Sequence, residues 1–249
     1  MSTAIAEPEI VYSDSDGQPM ADNTLQWEWI VLVKENLEFL FADDPNVFVA
    51  GDNLIYPLEG KPAICVAPDV YVAFGRPKGH RGSYKVWKED GIFPQVVFEV
   101  LSPNNTKDEM KRKLAFYEKH GADEYYVLDP DRIRVEGYVR GSKGLVAVRE
   151  MNGFKSPQLG ITFHLRRDDI EVRFPDGNRF MTTVEYTRDA AESRRQLSKA
   201  VFRAEQEALR AEKELQRAEE EKRRTEEEKR RADALAAKLR ALGIDPDAV

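Results

Sequence analysis

From Thr187 to Leu242 the chain contains neither proline nor glycine, and alanine, glutamate, lysine, arginine and leucine dominate. Such a composition leaves one long helix as the only regular structure open to that segment. Leu197, Val201, Ala204, Ala208, Ala211, Leu215 and Ala218 follow one another in steps of four and three, the spacing of a heptad seam. Lys222, Thr225 and Lys229 then interrupt the seam, Ala232, Ala236 and Leu239 resume it, and Gly243 and Pro246 end it. Two readings follow. One is a solvated single helix laced by i,i+4 charge pairs. The other is a coiled coil that joins two copies of the chain into a homodimer. The helix takes residues 186–242 and leaves 243–249 as a tail.

Ahead of that helix the pattern is different. Residues 1–21, rich in Asp, Ser and Pro, read as a flexible arm, and residues 22–185 read as one folded domain. A first helix runs from Asn23 to Phe41 on the spacing of Trp27, Ile30, Val31, Lys34, Leu37 and Leu40. Short apolar runs follow. "NVFVAGDNLIYP" reads as strand and bend, "AICVAPDVYVAF" as strand, kink and strand, and "PQVVFEVL" as a buried strand. A helix from about Pro103 to His120 has Ser102 as N-cap and Gly121 as C-cap. "DEYYVLD" is a further strand, "RIRVEGYVRGSKGLVAVREM" a hairpin, and "GITFHL" and "DIEVRF" are short strands, with "PDGN" as a turn.

Several function classes drop out. No apolar run is long enough to span a bilayer, and the N-terminus lacks the basic start and apolar stretch of a signal peptide. The single cysteine, Cys65, excludes an internal disulfide framework. A cytoplasmic protein is expected. From Tyr186 onward, 16 Lys and Arg face 15 Asp and Glu, so a net charge of −7 for the whole chain leaves about −8 on residues 1–185. Broad, non-specific attraction to nucleic acid is therefore not expected of the domain. His80, His120 and His164 are isolated from one another, which argues against a histidine metal site. No phosphate-binding glycine loop and no nucleophile elbow occurs.

The carboxylates are more informative. Glu99 interrupts the apolar run from Val96 to Leu101, where an unpaired charge would be costly. Asp69 sits between "AICVAP" and "VYVAF". Two carboxylates on neighbouring core strands repel unless a cation lies between them, and Mg²⁺ or Mn²⁺ suits oxygen ligands. Each could instead be exposed at a sheet edge or paired with a lysine or arginine. On the helix that follows Glu99, Met110, Leu114 and Tyr117 form an apolar stripe with Phe116 on its flank. Lys113 falls inside that arc, while Lys111, Arg112, Glu118 and Lys119 fall outside it. Lys113 is thus aimed at the sheet, either as a structural ion pair or as a group that orients water and offsets negative charge.

These residues carry a resemblance. "APDVYV" followed by "PQVVFEVLSPNNTKDEMKRKLAFYEKHGADEYYVLDP" resembles the Uma-two family of restriction-type endonucleases, within the PD-(D/E)XK nuclease superfamily. The match lies in Glu99, Ser102, Pro103, Lys113, Tyr117, Gly121, Glu124, Tyr125, Asp129 and Pro130. It covers residues 23 to about 185, and the helical extension ending "LRALGIDPD" is similar to tails of other members. The resemblance implies an α/β fold with a restriction-endonuclease-like mixed β-sheet core flanked by helices, to which the long C-terminal helix is attached. It implies a metal-dependent endonuclease acting on nucleic acid, DNA first. Asp69 and Glu99 match the metal ligands, and the Val100 carbonyl is expected to complete the shell. Where the superfamily has a strand lysine two residues after the glutamate, this chain has Leu101, and Lys113 takes over that role. Asp52, Glu109 and Tyr117 are secondary candidates. Between the two carboxylate strands, "GRPKGHRGSYKVWKEDG" offers Arg76, Lys78, Arg81, Lys85 and Lys88, with Tyr84 and Trp87 interleaved. The segment is either a phosphate-contacting loop or an ordinary solvated one. The missing strand lysine also keeps open a catalytically inactive interaction module, assembled through the C-terminal helix.

Overall fold

The computed structural model describes residues 10–15, 17 and 19–241. It consists of two compact units, one ending at Thr183 and one starting at Val184. Residues 1–9, 16 and 18 of the expected arm, residue 242 of the expected helix and the expected tail, 243–249, lie outside the described residues.

Six strands form the main sheet of the first unit: β1 (Val47–Ala50), β3 (Val70–Phe74), β5 (Val96–Val100), β6 (Glu124–Asp129), β7 (Arg134–Gly141) and β8 (Gly144–Ala147), in the order β1-β3-β5-β6-β7-β8. Only β5 and β6 run parallel, because a helix, α2 (Lys107–His120), carries the chain back between them. The remaining neighbours pair antiparallel. A short parallel pair, β2 (Ile55–Tyr56) with β4 (Tyr84–Lys85), and a hairpin of β9 (Thr162–Leu165) and β10 (Ile170–Arg173) complete the β-structure. The sheet is mixed, as expected.

Both faces of the central sheet are covered, so β5 is buried at every residue. Alternation sorts those residues. Val96, Phe98 and Val100 share one core with α1 (Thr24–Leu40) and with Phe163, Ile170 and Val172 of the β9–β10 hairpin. Val97 joins the opposite core with Tyr71, Tyr117 and Tyr125, on which Met110, Leu114 and Phe116 of α2 pack. Glu99, two residues on, shares the face of Val97 and meets α2.

Local sequence sets the helix ends. Asn23 caps α1 by accepting from the Gln26 N–H at 2.8 Å. The buried face of α1 is Gln26, Trp29, Ile30, Val33, Asn36 and Leu37, rotated from the apolar spacing, and Trp27 is exposed. Two polar residues on that face account for the rotation: Gln26 donates to the Val100 carbonyl and Asn36 to the Met181 carbonyl. The second helix starts later than Ser102 suggested. Thr106 is its N-cap, with Glu109 completing a capping box. Ser102 to Asn105 form a turn ahead of it, in which the Ser102 N–H donates to Asn105 Oδ1. Gly121 closes α2 at φ 111°, a conformation that side chains resist.

The first half of "AICVAPDVYVAF" is not a strand. It contributes one isolated bridge, Val66 to Ile55, and Pro68, lacking an N–H, precedes β3. The described part of the N-terminal arm is held against the domain: Tyr12 packs edge-on to Tyr56, and the Tyr56 hydroxyl donates to the Ser13 carbonyl.

The second unit is the body of α3 (Thr183–Ala241), which continues through Lys222, Thr225 and Lys229. None of its residues is buried, and Leu197, Val201 and Leu215 of the seam stand exposed. Among the described residues no helix is long and apolar enough to cross a membrane.

Candidate active site

The antiparallel register of β3 and β5 pairs Val70 with Phe98. Continued by one residue, it sets Asp69 opposite Glu99 on the α2 face, where directly opposed Cβ atoms lie about 4.5–5.5 Å apart. The β1–β3 register, which pairs Ala50 with Tyr71, continues to bring Asp52 alongside Asp69. Asp69 is fixed from the far side too: the Val100 N–H donates to its Oδ2 at 2.6 Å. Gly51 is needed here because an added Cβ would come within 2.0 Å of the Asp69 carbonyl oxygen. Asp52 then turns the chain at φ 56°, a left-handed conformation that carries strain in a non-glycine residue.

Glu99 has two partners, both from α2. Lys113 Nζ donates to Oε2 at 2.7 Å and the Tyr117 hydroxyl to Oε1 at 2.6 Å. The Glu99 side chain is 4% exposed and that of Lys113 21%. Lys113 and Tyr117 are one turn apart, so a single helical face delivers both donors. Leu101, two residues after Glu99, is partly buried against the same core as Met110 and Leu114.

Burial and the Glu99 charge hold the Asp69 carboxyl well above the ordinary carboxylate range, against the pull of Lys113 and the Val100 N–H; Asp52 adds to the rise. Burial alone would lower Lys113, but Glu99 and Asp69 hold it above its usual value. Tyr117 is pushed well up by burial and by Glu99, so it stays a hydrogen-bond donor. The cluster thus has two carboxylates and one ammonium in a dry setting, one negative charge in excess. A proton on Asp69 relieves that excess, and so would a hard divalent cation, for which carboxylate oxygens are fitting ligands. Among the described residues no three of His, Cys, Asp and Glu gather as a complete metal cage. Neutral oxygens would have to finish the shell. The Val100 carbonyl, expected in that shell, already accepts from Gln26 Nε2 at 2.8 Å, although a carbonyl has a second lone pair.

A family model described as "Uma2: Putative restriction endonuclease" matches residues 19–167. The chain belongs to the Uma2 family. The Uma2 match spans the whole constellation from Gln26 to Tyr125, including Asp69, Glu99 and Lys113. Among solved structures, the chain is similar to "a putative nuclease belonging to DUF820" from Anabaena variabilis, at 14% identity over 55% of this chain and 75% of that one, with a TM-score of 0.40. No curated protein matches.

The other expected residues divide. Glu109 serves the capping box and accepts from Asn105 Nδ2, one turn before Lys113. The basic loop is engaged internally. Arg76 and Arg81 both donate to Glu89, Arg81 lies 3.9 Å over the Phe48 ring, Lys78 donates to the Phe41 carbonyl and Lys85 sits over Tyr12. Lys88 is exposed and makes no ion pair among the described residues. Within this segment Glu89, 8 residues after Arg81 and 13 after Arg76, pairs with both guanidiniums, and Asp90 takes a second contact from Arg76. Gln26 and Gly51 were not among the residues that the sequence singled out. Gln26 was detectable as a polar residue in register with Ile30, Val33 and Leu37; Gly51 carried no signal before its neighbour was known.

Proposed function

We propose that this protein is a Mg²⁺- or Mn²⁺-dependent endonuclease that hydrolyses phosphodiester bonds in nucleic acid, with DNA as its substrate. The observation that carries the reading is the row of Asp69 opposite Glu99, with Lys113 on the Glu99 carboxylate. Asp69 and Glu99 would hold the cation, with carbonyl or water oxygens completing its shell. Bound there, the cation supplies Lewis acidity at a phosphate oxygen and lowers the pKa of a coordinated water. Tyr117 fixes the Glu99 carboxylate in one rotamer from the dry side. Lys113, part-exposed at the edge of the cluster, can swing its ammonium toward a phosphate and hold charge that develops there in the transition state. Asp52 sits next in the row and biases Asp69 by its charge. Membership of an endonuclease family supports the reaction class; the site chemistry supports the cation.

A second reading, an inactive nuclease fold that serves as an interaction module through a paired α3, draws on the saturation of Glu99: both its oxygens already have partners. Cleavage assays on plasmid, linear, branched and single-stranded substrates with Mg²⁺ and with Mn²⁺ separate the two. Metal-dependent cleavage by wild type that Glu99→Gln abolishes supports the enzyme. No cleavage of any substrate, together with no Mg²⁺ or Mn²⁺ binding in calorimetry, leaves the interaction module.

A further inference from the structure

A cavity of about 390 Å³ lies on the α2 face of the sheet, directly beyond Glu99. Its inner wall includes Leu101, two residues on from Glu99, and Val127, the register partner of Glu99 on β6. It therefore neighbours the carboxylate cluster, although Asp69, Glu99 and Lys113 themselves do not line it. Tyr125 and Tyr138 add an aromatic wall, their rings stacked with centroids 5.8 Å apart. A volume of this size suits a small organic ligand rather than a few waters.

One atom in that wall is anomalous. The Tyr125 hydroxyl is buried and has no hydrogen-bond partner among the described residues, in a residue only 1% exposed. The other fully buried tyrosines are all satisfied: Tyr56 by Ser13, Tyr71 by Asn53, Tyr84 by Ile92, Tyr117 by Glu99 and Tyr126 by Glu124. A buried hydroxyl left unpaired forfeits its hydration, and a phenylalanine would fill the same space without that cost.

The rim is cationic at four points. Lys107 and Lys111 come from the start of α2, and Arg132 and Arg134 from the turn into β7. Lys111, Arg132 and Arg134 pair with Asp108, Asp129 and Glu136, but their own side chains are 65–79% exposed. Exposed pairs of this kind hold weakly and exchange readily for a phosphate. Lys107 makes no ion pair among the described residues.

We propose that the cavity takes one unpaired nucleotide of the substrate strand, next to the bond that is cut. The base lies against Tyr138, the partly exposed ring of the aromatic wall, the Tyr125 hydroxyl behind it meets a polar atom on the base edge, and the phosphate rests on the Lys107–Lys111–Arg132–Arg134 rim. The identity of the ligand as a piece of substrate rests on the nuclease reading above. A simple anion would use the rim and leave the aromatic wall and the hydroxyl idle. A purely apolar ligand would leave both the hydroxyl and the rim idle. Because a base enters such a pocket only when unstacked, the enzyme should prefer single-stranded, frayed or flapped nucleic acid over intact duplex.

The test is calorimetric titration of the full-length protein, in EDTA, with dAMP, dTMP and inorganic phosphate. A mononucleotide should bind at least about tenfold tighter than phosphate, as base–aromatic stacking implies. Tyr125→Phe should weaken mononucleotide binding by roughly threefold or more, the loss of one hydrogen bond, with no fall in Tm. Lys119→Ala, on the same helix and outside the cavity, should bind as wild type. Equal affinity for phosphate and mononucleotides, or wild-type binding by Tyr125→Phe, overturns the proposal. If Tyr125→Phe is destabilised, the exposed pair Arg132→Ala with Arg134→Ala decides, and unchanged mononucleotide binding by that variant is again the overturning result. With the metal chelated, lack of cleavage does not bear on the outcome. A wild type that cleaves but binds no mononucleotide sinks the pocket and spares the nuclease; one that binds but never cleaves does the reverse.

Discussion

Lys113 reaches Glu99 across the gap between a helix and a strand, Nζ to Oε2 at 2.7 Å, while Tyr117 one turn on takes the other carboxylate oxygen. The pair is nearly dry, so removing one partner strands the other. Lys113→Ala should lower stability by about 3 kcal/mol, the usual cost of breaking a buried pair. The same change in a Glu99→Gln background should cost much less, and thermal or urea unfolding of the double-mutant cycle measures the difference. Additive effects would show that the two charges do not depend on each other. If the site is catalytic, Lys113→Ala should also lower turnover by about 10² to 10³. Lys111, which lines the neighbouring cavity, is a poor control for this change; Lys119 is the better one.

Asp69 gives a pH dependence of the less common sign. Its folded pKa lies above the unfolded value, because burial and Glu99 favour the neutral carboxyl. The stabilisation is complete below about pH 4, the unfolded carboxylate value, and is lost as pH rises through the folded pKa. Metal-free protein should therefore lose stability as pH climbs from about 4 toward neutrality. Divalent cation binding needs the carboxylate, so Mg²⁺ affinity should rise over the same range with release of a proton. Asp69→Asn keeps an acceptor for the Val100 N–H and removes the charge. In EDTA at pH 7 it should be more stable than wild type, and Mg²⁺ should no longer shift its Tm. An Asn variant no more stable than wild type would count against the crowding of the two carboxylates.

How much of this was legible depends on the range of the signal. Glu99 inside "VVFEVL" and Lys113 inside the apolar arc of α2 are local patterns of period two and period 3.6, and both carry through to the contact between them. Gly121 at the end of α2 and the β7–β8 turn were legible for the same reason. The rest depended on a partner or competitor outside the local pattern, whether near or far along the chain. Arg76 and Arg81 look free until Glu89 folds under them. Ser102 looks like a cap until Thr106 and Glu109 compete with a better one, and the α1 face looks apolar until Gln26 is seen to meet Val100, 74 residues away. The row of Asp52, Asp69 and Glu99 is a matter of register, which no single strand encodes.

The loop between β3 and β5 should behave as a structural element. Burial would raise the Glu89 carboxyl, but Arg81 and Arg76 outweigh it and hold it below the ordinary range. Its stabilisation is thus present above the unfolded value of about 4.3 and is lost as pH falls through the folded pKa. Glu89→Gln should cost about 2 kcal/mol at pH 7, as for hydrogen bonds to charged groups, and little in strong acid. Arg76→Ala and Arg81→Ala should lower Tm before they affect nucleic-acid affinity. Lys88→Ala should leave Tm unchanged and, if the loop touches phosphate, reduce the salt slope of binding by about 1. Arginine variants that keep wild-type Tm but lose binding would favour direct phosphate contact by the loop.

The last prediction concerns α3. Its 59 residues extend roughly 90 Å at 1.5 Å per residue, and Leu197, Val201 and Leu215 lie along one seam with nothing over them in the single chain. A helix this long whose seam still carries leucine and valine gains by pairing, since each such residue is worth about 1.5–3 kcal/mol when fully buried. Alanine at four of the seven seam positions brings two helices close but contributes little area, so the pair should be a weak dimer. Light scattering at tens of micromolar should give twice the chain mass of 28.5 kDa, falling toward one chain on dilution. Val201→Asp with Leu215→Asp should give the single-chain mass at every concentration, with the helical signal reduced but the Tm of the first unit intact. A wild type that is already monomeric at tens of micromolar would leave the charge-laced single helix as the correct description, with its stability set by i,i+4 pairs and therefore by salt.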